Sequence, residues 1–216
     1  MNTKRIVSTL IALVLCLFMV RAEAFEPTIT EPITIAVVLD TPSGFAAEPE
    51  KVYATVEESL RTIFPNKSMY KIQPISENDA YVQIYREEND LAVANDSGQV
   101  TASSARSMMM KKTDMAKLND HFKADFITYI RVTSSVPQIT VGFWSAGQKV
   151  NVTTDFRVWS KKTGEYIYMK RAMTSGSSSS MYGVGHTGRA VDKGLRKALS
   201  EIEKDSSNIR MKMIAE

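Results

Sequence analysis

The chain has 216 residues, of which 27 are basic and 24 acidic, for a net charge of +3, and it has one cysteine. So even a balance argues against a partner held by non-specific charge, whether nucleic acid or an anionic membrane surface. A single cysteine excludes an internal disulfide and a metal site built from cysteines.

Residues 1–24 read as a cleavable secretory signal peptide. Lys4 and Arg5 supply its basic start, Ile6 to Val20 is uncharged and apolar, and Ala22-Glu23-Ala24 places small residues at a cleavage site before Phe25. As a helix the apolar run spans about 22 Å, short of a hydrocarbon core of roughly 30 Å. Cys16 lies inside that run behind Leu15, so it does not mark a lipid-attachment site. Cleavage removes three basic residues and one acidic residue, leaving 192 residues, a net charge of +1 and no cysteine. No later segment is apolar and long enough to span a bilayer. The expected product is periplasmic or secreted, with no integral membrane span.

Residues 25–32, with Pro27 and Pro32, form a lead-in, and 33–216 reads as a single α/β (α+β) domain. The β-branched run Ile33 to Leu39 predicts a buried strand ending at Asp40. A helix follows over about 48–64, with Val52, Val56, Leu60 and Ile63 on one face. Tyr70 to Ile75 is a short strand, and Pro74 marks it as an edge or an end. Ser76 is the expected N-cap of the next helix, which carries Tyr81, Ile84 and Tyr85. Residues 89–113 give no clear periodicity and contain Met108, Met109 and Met110. A helix from Thr113 or Asp114 to Phe122 precedes a strand over Phe126–Val132.

The last part reads as antiparallel. A strand over Ile139–Ser145 and a turn at Ala146-Gly147-Gln148 lead into strict alternation from Val150 to Trp159. Lys161-Lys162-Thr163-Gly164 is a turn, and a strand returns from Glu165 to about Met173. A Ser/Gly-rich loop over 174–188 precedes a final helix with Val191, Leu195, Ala198, Leu199 and Ile202 on one face, capped by Thr187. The order β-α-β-α-α-β-β-β-β-α implies one mixed sheet with helices packed on it.

No motif declares a chemistry. Gly183-Val-Gly185-His-Thr-Gly188 has dinucleotide-loop spacing but does not follow a strand closely, and no strand comes after its helix. Ser68-Met-Tyr-Lys71, Ser76-Glu-Asn78 and Lys162-Thr163-Gly164 imitate a penicillin-binding set, but the first two crowd together in sequence. His121 and His186 have no second ligand at metal spacing. No catalytic residue, cofactor or metal ligand is therefore assigned. The candidate partner surface is Met108, Met109 and Met110, an adaptable apolar run, with Trp144 and Trp159 of the predicted hairpin; Trp159 falls on its outward face.

Four segments resemble the CsgG/TolB N-terminal-like envelope domains. They are Ile33 to Asp40, His121 to Val132 with its Ala124-Asp125-Phe126 step, Phe156 to Glu165 with its Lys-Thr-Gly-Glu end, and the Ser/Gly loop before the last helix. The resemblance implies a non-catalytic, periplasm-facing assembly or accessory domain that binds an envelope protein partner. The chain departs from the curli secretion pore in lacking a lipidated cysteine and a pair of membrane-crossing hairpins. A soluble module therefore fits it better than a pore. A hydrolase with an unrecognised site and a small-ligand or glycan binder stand as alternatives, and self-association is left open.

Overall fold

The computed structural model describes residues 31–41, 49–89, 110–141, 146–180 and 185–216. The chain divides into two units, Met1–Glu31 and Pro32–Glu216, and the fold is that of the second. The expected signal and most of the lead-in lie outside the described residues.

Six strands and five helices follow one another among the described residues: β1 (Ile33–Asp40), α1 (Pro49–Ile63), β2 (Tyr70–Ile72), α2 (Ile75–Glu88), α3 (Lys112–Phe122), β3 (Phe126–Ser134), β4 (Gln138–Val141), β5 (Ala146–Ser160), β6 (Tyr166–Ser180), α4 (Thr187–Glu203) and α5 (Ser206–Ile214). The strands make one mixed sheet. β1 runs parallel to β2 and β3, while β5 is antiparallel to β3, β4 and β6. β4 continues the line of β3 after a break, so both lie on one side of β5 and β6 on the other.

Both faces of this sheet are covered over β1 and β3. On one face Ile35, Val37, Leu39, Phe156 and Val158 meet the apolar stripes of α1, α4 and α5. On the other, Ala36, Val38, Ile127, Tyr129 and Trp159 meet α2 and α3. This explains why β1 is a continuous apolar run, since a strand buried on both sides has no polar face to show. In α1 the buried residues Val52, Val56, Leu60 and Ile63 recur at helical spacing. α4 approaches β6 closely: a Cβ on Gly176 would lie 1.7 Å from the Ala190 carbonyl oxygen, and one on Gly194 would lie 2.6 Å from Val152. Only hydrogen fits at either position.

Asp125 ties β1 to β3. Its Oδ2 accepts from both the backbone N–H and the hydroxyl of Thr34, each at 2.7 Å. The β5–β6 turn is built by Gly164 at φ 68 and by Ser160, whose backbone pairs with Gly164 and Glu165 at 2.9 Å.

Several expectations are corrected. The helix after β2 begins at Ile75 behind Pro74, so Ser76 lies inside it rather than capping it. Residues 146–148 belong to β5, and the predicted Ser/Gly loop is strand as far as Ser180. Pairing with β5 along its length holds these small residues in the strand. The N-cap of α4 is His186, not Thr187, whose hydroxyl donates to Gln148 Oε1. The chain also turns at Asp205 into a further helix, α5, which buries Ile209 and Met213.

Candidate functional site

Four charged residues of the sheet are arranged in one row. Asp40 on β1 stands opposite Arg131 on β3, Arg131 opposite Asp155 on β5, and Asp155 opposite Arg171 on β6. Side chains directly opposite in a sheet share a face, and this row lies on the face that α2 and α3 cover in part.

At its inner end the row is buried. Arg86, reaching in from α2, makes an ion pair with Asp40 Oδ1, and Arg131 Nη1 lies 3.9 Å from Oδ2. The Tyr129 hydroxyl donates to the same Oδ2. Burial, reinforced by the charge of Asp40 and by this hydrogen bond, holds the Tyr129 hydroxyl well above its ordinary pKa, so it remains a donor. Two guanidinium groups thus close on one carboxylate, and Arg131 also stands opposite Asp155. This cluster stands where β1 ends and its parallel pairing with β3 stops.

At its outer end the row reaches solvent. Arg171 donates to both oxygens of Asp155, at 2.7 and 3.1 Å, in a fork that raises the pKa of Arg171. The Arg171 side chain is 55% exposed. Met169 and Met173, two residues to either side on the same face, are 61% and 75% exposed. Asp155, Arg157, Met169, Lys170 and Arg171 line a shallow depression of about 260 Å³. The Arg157 guanidinium lies 5.5 Å from the centre of the Tyr166 ring. This open part of the β5–β6 face, basic in balance and bordered by two flexible apolar side chains, is the candidate site.

The residues singled out from the sequence fall elsewhere. Trp159 is buried beside Ile127 and Tyr129, because α2 and α3 cover the face that strict alternation assigned to solvent. Met110 is likewise buried, packed with Met115, Leu118 and Tyr85. Neither is exposed, contrary to the expected outward placement of Trp159. Met108, Met109 and Trp144 lie outside the described residues. His121 stacks on Tyr81 with ring centres 3.6 Å apart. Among the described residues no group of three His, Cys, Asp or Glu could hold a metal ion. Ser68 lies beside β2 at one edge of the sheet, and Lys162-Thr163-Gly164 joins β5 to β6 at the other, so the penicillin-binding imitation has no common site. The glycine run does follow a strand, contrary to expectation, but α4 leads only to α5. The residues that sequence reasoning missed are Arg86, Asp155, Arg157, Met169, Arg171 and Met173. Asp155 and Arg171 carried one signal, an ionisable residue at the middle of each strand of a hairpin.

No protein-family model matches the chain, and no curated protein matches it. Among solved structures it is similar to the lipoprotein GNA1162 of Neisseria meningitidis, with 16% identity over 82% of this chain and 99% of that one and a TM-score of 0.35. It is similar to the hypothetical protein CT253 of Chlamydia trachomatis, with 10% identity, the same two coverages and a TM-score of 0.40. The LpoB C-terminal domain of Salmonella enterica has 9% identity over 68% of this chain and 85% of that one, with a TM-score of 0.33. These three are a lipoprotein and two other bacterial proteins, rather than CsgG or TolB specifically.

Proposed function

We propose that this chain is an exported, non-catalytic module that docks another envelope protein on the open face of β5 and β6. One observation carries the reading: Arg171 stands exposed at the end of the charge row, with exposed Met169 and Met173 on either side. Methionine adapts its shape to an apolar partner, and the guanidinium selects a carboxylate within it. The complementary partner is an apolar segment that carries an acidic residue. The fork from Asp155 orients Arg171 before binding and so reduces the entropy lost when a partner arrives.

The test places a photo-crosslinking amino acid at position 173 in cells and, as control, at the exposed Arg61 on α1. One defined product at 173, absent at 61 and lost in a Met169→Asp, Arg171→Glu chain, is expected. Equal capture at both positions, or capture that survives the double substitution, retires the reading.

A further inference from the structure

Among the described residues the sheet has three strand edges that pair with no further strand, and they are not treated alike. β2 is three residues long. β6 is long, but its carbonyls at Ser175 and Ile167 accept from Lys197 and Lys212 at 3.1 and 3.0 Å. Lysines of this kind blunt an edge against further pairing. Among the described residues β4 has no such guard. It pairs with β5 on one side and with no other strand among the described residues. All four of its residues are exposed. Ile139 is 59% and Val141 82% exposed, and Val136 just before the strand is 83% exposed.

From Val132 to Gln148 there is no charged residue, although 24% of the chain is charged. Gln138-Ile139-Thr140-Val141 combines β-branched residues with neutral polar ones, the composition of a strand that pairs readily. Pro137 bounds it on one side, so the pairing segment is short and has one frame.

From this we infer that β4 is a docking edge for the β4 of a second copy, joining two sheets antiparallel about a two-fold axis. Three features favour a second copy over an unrelated strand. A neutral edge selects no charged partner, self-pairing places no like charges opposite each other, and the segment is complementary to itself. With Thr140 facing Thr140 across the axis, each Ile139 stands opposite the Val141 of the other copy, and apolar or β-branched cross-strand pairs of this kind stabilise an antiparallel ladder. Such pairing is isologous and closes at two copies. The open β5–β6 face remains free, because β4 and β6 lie on opposite sides of β5.

Cys16 is the chain's one cysteine, so once it is replaced an introduced thiol reports on one position. In the purified chain carrying Cys16→Ser, Thr140→Cys is expected to give a dimer with a short thiol crosslinker, while Lys71→Cys on β2 gives none. Light scattering of the unsubstituted chain is expected to show twice the monomer mass, and Ile139→Lys with Val141→Lys halves it. These side chains are exposed, so the melting temperature of the dispersed monomer checks that the fold is kept. A monomer at high micromolar concentration overturns the inference. So does a dimer that survives the lysines, or a chain that binds neutral lipid vesicles through β4 while staying monomeric.

Discussion

Asp40 and Arg131 face each other across β1 and β3, both buried, and Arg86 from α2 closes on the same carboxylate. The carboxylate is the counter-charge that holds Arg86 of α2 to the sheet. Asp40→Asn is expected to cost on the order of 3–5 kcal/mol in urea unfolding, because it removes the carboxylate paired with the buried Arg86 and facing Arg131. Arg86→Met is expected to cost less, since Arg131 still balances Asp40. A chain in which the two substitutions cost the same would show that charge balance does not hold α2 to the sheet.

Four tyrosines donate to aspartates: Tyr53 to Asp79, Tyr85 to Asp114, Tyr129 to Asp40 and Tyr168 to Asp205. Burial, with the hydrogen bond and the aspartate charge, raises all four, and Tyr53 is pushed up to about 12. The folded chain thus holds these protons more tightly than the unfolded chain. Their stabilisation is complete below the ordinary tyrosine pKa of about 10 and is lost as pH rises above it. The melting temperature is expected to fall steeply above that pH. Tyr53→Phe with Tyr168→Phe should flatten the fall, and an unchanged slope would contradict this account.

The closeness of α4 to β6 sets a third expectation. Gly176→Ala would bring its methyl group against the Ala190 carbonyl, and backbone cannot rotate away as a side chain can. A loss of at least roughly 1–3 kcal/mol is expected from overpacking. Gly164→Ala, at positive φ with open space around it, is expected to cost only about 1 kcal/mol. Chemical denaturation of the two variants side by side measures the difference.

Met110 and Met173 are both methionines, with opposite roles. Met110→Ala is expected to cost about 2–5 kcal/mol through the cavity it opens. Met173→Glu is expected to leave stability within about 0.5 kcal/mol while removing crosslinking at the open face. Reversal of the two effects would exchange the assignments of core and surface.

The fold was legible where periodicity had one cause. Val52, Val56, Leu60 and Ile63 announced α1, and Val191, Leu195, Ala198, Leu199 and Ile202 announced α4; all are buried. The unbroken β1 run announced a strand covered on both sides. The site was not legible. Alternation along β5 distinguishes two faces but does not reveal that helices cover part of the second one, and Trp159 was misplaced for that reason. Asp40, Arg86 and Arg131 are far apart in sequence and meet only through strand register. The Ser-rich end of β6 reads as loop because its propensity is low, and pairing with β5 overrides it.

The bond from Thr34 to Asp125 closes a separation of 91 residues, and β1 lies between β2 and β3 with both neighbours later in the chain. A polypeptide that leaves a channel N-terminus first would therefore present its most apolar strand long before either neighbour arrives. Ile35 to Leu39 must wait for residue 130 to emerge before β3 can pair with all of it, and throughout that interval it is a ready target for a holding chaperone or for mispairing with another nascent chain.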